Sequence, residues 1–150
     1  MTPREAMNQA LKEAVHSVLR PHGWSGSMPH FRYRSTNQIC LLSFQFHSAG
    51  GSLVAEVAEC SPDGYTASWG QHWPPSKVTA HCIGAPRSRL GSTQFPVGDH
   101  WFTFGPRNYE PDADIVRPRA HYDGVAAEVM RFVCEQAEPW WREQFGARSA

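Results

Sequence analysis

FRYRSTNQICLLSFQFHSAGGSLVAEVAEC, residues 31–60, carries three strand signals parted by two turn signals. Phe31 to Arg34 alternates aromatic with basic residues, and Ser35-Thr36-Asn37 reads as a turn. Ile39 to Phe46 then places Cys40, Leu42, Phe44 and Phe46 on one face, because successive side chains of a strand point to opposite sides. Ser43, Gln45 and His47 fall on the other face, with Ile39 and Leu41 as its apolar exceptions. After the turn Ser48-Ala49-Gly50-Gly51, the run Leu53 to Cys60 is apolar enough on both faces to sit centrally in a sheet. An antiparallel β-sheet meander with one face packed on a helix satisfies this pattern.

The helix stands upstream. Thr2-Pro3-Arg4-Glu5 has the form of a capping box with proline at the first helical position, where a missing N–H costs nothing. Met7, Ala10, Leu11, Ala14, Val15 and Val18 follow at helical spacing, and Arg20-Pro21-His22-Gly23 ends the run. Downstream, residues 61–76 read as a long ordered loop, Lys77 to Ile83 as a strand with Val78, Ala80 and Cys82 inward, and Gly84 to Gly98 as a second loop. His100 to Phe104 reads as a short aromatic strand, and Gly105 to Pro118 as a proline-rich acidic passage. A C-terminal helix starts with Asp123 as its cap and carries Val125, Val129, Phe132, Val133 and Gln136 on one stripe. Pro139 either kinks it or begins a further turn bearing Trp140, Trp141 and Phe145, with one tryptophan packing on the first helix. The expected fold class is α+β, an antiparallel meander packed by an N-terminal and a C-terminal helix, with residues 1–150 as a single domain.

Composition narrows the classes of function. Lys plus Arg and Asp plus Glu each total 14, so the formal charge is zero and the basic excess of a nucleic-acid binder is missing. No apolar stretch approaches the ~20 residues of a membrane-spanning helix, and the charged N-terminus does not resemble a secretory signal. Cys40, Cys60, Cys82 and Cys134 form no CxxC pair and read as buried free thiols of a reducing cytosol. A cytoplasmic protein with no cofactor, nucleic-acid or membrane partner is the expectation.

The order of motifs from Gly23-Trp24 to Cys60 also carries a resemblance. A helix ending in a proline-glycine-aromatic turn is followed by Phe31-Arg32-Tyr33-Arg34, by a strand ending Phe44-Gln45-Phe46, and by a glycine turn into Leu53-Val54-Ala55-Glu56-Val57. This resembles the bacterial domain-of-unknown-function 4304 family, mainly over residues 1–104, and Trp101-Phe102 is compatible with its later part. The resemblance implies an α+β fold in a bacterial cytosol and transfers no catalytic residue.

No GxSxG elbow flanks a serine, and neither HExxH nor HxH occurs. Asp99-His100, His121-x-Asp123 and Asp112-x-Asp114 are pairs rather than ligand sets. Gly50-Gly51 enters a strand, so it reads as a turn and not a phosphate cradle. Glu56 and Glu59 stand an odd number of residues apart and therefore face opposite sides of their strand. Glu56 is expected on the solvent face or paired with an arginine.

What stands out is a set of aromatic, arginine and histidine residues in the middle region. Trp69, His72 and Trp73 lie in one predicted loop, Arg87 and Arg89 in another, and His100 and Trp101 on the short strand. Such residues build interface hot spots and ligand pockets, or else fold inward as a satellite core that pins a loop. Two functions follow. One is a non-enzymatic protein-binding module, in concrete form an immunity or antitoxin-like protein that occludes a toxin. The other is a small-molecule site in which Arg87 or Arg89 holds an anion and His72 or His100 does acid–base work. A homodimer through a sheet edge or the C-terminal helix is the oligomeric form considered.

Overall fold

A computed structural model describes residues 1–149. Helix α1 (Pro3–Val18) begins with the capping box read from the sequence. Thr2 Oγ1 accepts from Glu5 N at 3.1 Å, and Glu5 Oε2 accepts from Thr2 N at 3.2 Å. Met7, Ala10, Leu11 and Val15 are buried, whereas Val18 stays exposed at the helix end. A short 3₁₀ turn, Arg20–His22, then leads to Gly23, whose φ of 96° is the left-handed geometry that glycine adopts without a Cβ clash.

The meander follows as β1 (Ser25–Ser27), β2 (His30–Arg34), β3 (Ile39–Phe46) and β4 (Ser52–Cys60), all antiparallel neighbours. Every residue of β4 is buried, as expected of a strand apolar on both faces. Cys40, Leu42, Phe44, Leu53, Ala55 and Val57 face the helices and join the main core. The apolar exceptions Ile39 and Leu41 are not solvent-facing. They meet Ala58, Cys60, Val78, Ala80 and Ile83 in a second, smaller core on the opposite side of the sheet.

Residues 61–90 supply the cover for that second core, and here three expectations are corrected. The predicted loop 61–76 contains a small hairpin, β5 (Tyr65–Thr66) and β6 (His72–Trp73). Lys77 to Ile83 is not a strand: Val78, Ala80 and Ile83 are buried, but residues Ala80–Cys82 form a 3₁₀ turn. The predicted loop 84–98 contains β7 (Arg87–Arg89), an edge strand paired with β4 through Glu56–Arg89, Val57–Ser88 and Ala58–Arg87. Strand β8 (Phe102–Thr103) pairs with the other end of β4, at Leu53 and Ser52.

The β3–β4 turn is clasped by the segment just after β8. Gly51 O accepts from Phe104 N at 2.8 Å and Gly105 N at 3.1 Å, and Ala49 O accepts from Asn108 N at 2.7 Å. Arg107 Nη1 donates to Gly50 O at 2.6 Å and to Ser52 Oγ at 2.7 Å.

Helix α2 (Arg119–Phe132) starts earlier than expected. Pro118 occupies the N-cap position, and Asp123 lies inside the helix, paired with Arg119 four residues before it. Tyr122, Ala126, Val129 and Met130 are its buried residues, with Val125 and Phe132 packed at the margin. A π turn, Val133–Ala137, connects it to α3 (Glu138–Ser149). Pro139 stands in the first turn of α3, the element that bears Trp140, Trp141 and Phe145. It lacks the N–H for an α-helical bond and its ring crowds the preceding turn, and the widened π turn relieves both. Trp140 packs near Phe95 and Trp141 near Trp24, with ring centroids 6.2 and 5.3 Å apart, and both join the main core to which α1 contributes Met7, Leu11 and Val15.

The cysteines are all free. Burial, with help from neighbouring Glu59, pushes the Cys40 and Cys60 thiols up to about 12. Cys82 is half-buried and Cys134 is exposed on the π turn, so the expectation of four buried thiols holds only for the two on the sheet.

Candidate functional site: the helix-free face of the sheet

Strand register assembles a polar row that runs across the sheet on the side away from the helices. His30 of β2 stands opposite Ser43 of β3, Ser43 opposite Glu56 of β4, and Glu56 opposite Arg89 of β7. The adjacent row is Arg32, Leu41, Ala58 and Arg87, whose apolar middle belongs to the second core. Alternation along each strand puts both rows on one face.

Glu56 is the centre of this arrangement. It is 4% exposed, and a buried carboxylate requires compensating charge and hydrogen bonds. Arg87 Nε lies 3.1 Å from one carboxylate oxygen, and His81 Nε2, delivered by the 3₁₀ turn, lies 3.3 Å from the other. Burial by itself would raise the Glu56 carboxyl. The hydrogen bond from His81 and the charges of Arg87, His81 and Arg89 outweigh it and hold the group below the ordinary carboxylate range. His30 shares a 2.7 Å hydrogen bond between Nδ1 and Ser43 Oγ, and its ring meets that of His81 edge-on at 5.2 Å. Burial, then the nearby His81 and Arg32, holds the His30 imidazole below its usual value.

Both shifts have the same sign for stability. A folded His30 that binds its proton less readily than the unfolded chain loses stability as pH falls below about 6.5, until the folded value is reached. Glu56, also depressed, contributes stability that is present above its unfolded value and is lost as pH falls through its folded value. We expect the stability gap between the wild type and Glu56→Gln to narrow as acid is added below about pH 4.5, read by thermal unfolding at several pH values. A gap that stays constant down to about pH 3 contradicts the assignment of Glu56 as the ionised centre of the row.

On the other side of Arg89, Asp99 Oδ1 accepts from its Nη1 at 3.1 Å, and the guanidinium lies 5.5 Å from the Trp101 ring. Trp101 in turn meets His47 at 4.9 Å. Arg87, Arg89 and Trp101, three of the residues singled out from the sequence, therefore converge on one patch. Trp69, His72 and Trp73 form a second group on the β5–β6 hairpin, on the same side of the sheet. Trp73 and Tyr65 pack against the second core, His72 Nδ1 shares a 2.8 Å hydrogen bond with Thr66 Oγ1, and Trp69 stays 72% exposed. His100 departs from both groups. Its ring sits against Phe102 and Phe132, on the helix side.

Sequence reasoning missed His30, Ser43 and His81. The signal that could have found them was Glu56 itself, a carboxylate in a strand apolar on both faces, which needs cationic neighbours from adjoining strands. Glu59 sits on the other face of β4 as the odd spacing requires, also buried, with Arg148 Nε at 3.2 and 3.1 Å from its two oxygens. Ser43 is fully buried and bonded to His30, so it offers no exposed nucleophile. The network's chemistry is to fix Arg87, Arg89 and His81 in place on the surface. Among the described residues, no group of three or more His, Cys, Asp or Glu side chains is placed to hold a metal ion, and no helix is long and apolar enough to cross a membrane.

A family model described as Domain of unknown function (DUF4304) matches residues 15–143, and the chain belongs to that family. The match takes in only the last turn of α1 and ends within α3, beyond the stretch whose motifs first carried the resemblance. No curated protein and no solved structure matches the chain.

Proposed function

We propose that this family member is a non-enzymatic protein-binding module of the bacterial cytoplasm, and that its partner docks on the helix-free side of the sheet. The observation that supports the reading is the patch of Arg87, Arg89 and Trp101, flanked by the exposed Trp69 of the hairpin. Tryptophan and arginine are the residues in which interface binding energy concentrates. Here the arginines are held in advance by Glu56 and Asp99, so docking loses less side-chain freedom. Arg32, Arg87 and Arg89 outnumber Glu56 and Asp99 on this face, which favours a partner with an acidic surface. An immunity or antitoxin-like protein occluding a toxin is the concrete form of this role.

The test is native mass spectrometry of the chain with proteins from its own host, followed by titration of the purified partner. Arg89→Ala and Trp69→Ala are each expected to weaken the complex at least about tenfold, with the far-ultraviolet circular dichroism unchanged. Trp69 is a better probe than Trp73, whose removal would disturb the second core. A bare monomer or homodimer, or a complex indifferent to both substitutions, overturns the reading.

A further inference from the structure

We propose that a cleft at the start of β2 binds a small organic monoanion, a carboxylate with an apolar body. The cleft, about 480 Å³, opens where β3 outruns β2. Strand β2 begins at His30, opposite Ser43, so Gln45 and Phe46 continue past its end. Arg4 and Asn8, one turn apart on α1, lean over this gap, and the Arg4 guanidinium lies 4.9 Å from the Phe46 ring.

The lining is one-sided in its charge. Arg4, Asn8, His30 and Gln45 each carry an N–H donor, His81 turns its Nε2 to Glu56, and no aspartate or glutamate lines the cleft. Phe46 and Met28 supply an apolar wall. Glu56 stands behind His81, with its charge already taken up by Arg87 and His81. Arg4 makes no ion pair among the described residues and rests on the Phe46 ring, so its planar fork is free for a carboxylate.

The buried Ser43 hydroxyl finds no other acceptor among the described residues. Donating to His30 Nδ1 is the arrangement that leaves no buried O–H unmet. The Nε2 of His30 then carries the proton and can donate into the cleft. With His30 kept neutral by burial and by His81 and Arg32, and with His81 already engaged by Glu56, the one charge of the lining left unpaired is that of Arg4. A single charge beside an apolar wall matches a monocarboxylate better than a phosphate dianion.

The site does not depend on the partner-binding reading, because the probe is titrated into the chain alone. Benzoate, followed by the imidazole NMR signals, is expected to shift His30 and His81 saturably and to raise the pH at which His30 titrates. Neutral benzamide should leave both unmoved, and inorganic phosphate should bind more weakly than benzoate. Arg4→Gln, which keeps a good helix former at an exposed site, is expected to weaken benzoate at least about tenfold. The benzamide comparison needs no variant and so survives any loss of fold in Arg4→Gln. A shift that never saturates, equal binding of benzamide or phosphate, or full benzoate affinity in a folded Arg4→Gln each overturns the proposal.

Discussion

Trp141→Ala is expected to cost about 4 kcal/mol of stability, the largest loss of any single substitution considered, because deleting a buried indole removes its transfer energy and leaves a cavity. Trp141 is 4% exposed. Its ring lies 5.3 Å from that of Trp24, and its indole N–H donates to Ala58 O at 2.9 Å. One side chain thus joins α3 to the C-terminal part of β4 and to the turn after α1. The backbone of the same residue accepts from Gln38 Nε2 at 2.7 Å, so the helix is tied to the β2–β3 turn as well. Trp141→Phe retains most of the ring and removes the indole's hydrogen bond to the Ala58 carbonyl, for an expected loss of about 1–2 kcal/mol. Urea unfolding of the two variants measures both values. A loss below about 1 kcal/mol in Trp141→Ala contradicts this account of the junction.

Gly51→Ala is expected to cost about 3 kcal/mol. Gly51 has φ at 82°, where an L side chain is strained by roughly 1–2 kcal/mol. An added Cβ would also lie 2.5 Å from the carbonyl oxygens of both Gly105 and Pro106. Those atoms are backbone and cannot swing aside, so the clasp must open or the turn must shift, a penalty typical of overpacking. Gly70→Ala makes the control. Its φ of 93° is equally left-handed, but nothing lies within 4 Å of the added Cβ, so only the backbone strain remains. Equal losses in the two variants would contradict the steric part of the argument.

What could be read from the sequence was local. Thr2, Pro3 and Glu5 cap a helix through neighbours within the same turn, and the Leu42–Phe44–Phe46 alternation declares its own core face. Ile39 and Leu41 were visible as apolar residues on the wrong face, yet their partners Val78, Ala80 and Ile83 lie some way along the chain in a segment with no regular period. Strand β7 was hidden for a related reason. Arg87 and Arg89 have no apolar pattern, and only backbone pairing to β4 makes them a strand. The candidate site divides in the same way. Arginine and tryptophan marked Arg87, Arg89, Trp69 and Trp101 by residue type alone. The row His30–Ser43–Glu56–Arg89 exists only through strand register, and His100 turned inward because Phe102 and Phe132 offered its ring an apolar bed.

The clasp on the β3–β4 turn has a consequence for the order of folding. Strands β3 and β4 are neighbours along the chain, so their pairing closes a short loop and can form early. Arg107 reaches Gly50 and Ser52 across separations of 57 and 55 residues, and the entropy of bringing such distant segments together must be met first. The hairpin therefore forms ahead of its own lock. Contacts made after the transition state govern the rate of unfolding rather than of folding. The segment around Arg107 sets how long the native chain lasts, while the paired strands beneath it set how quickly that chain is reached.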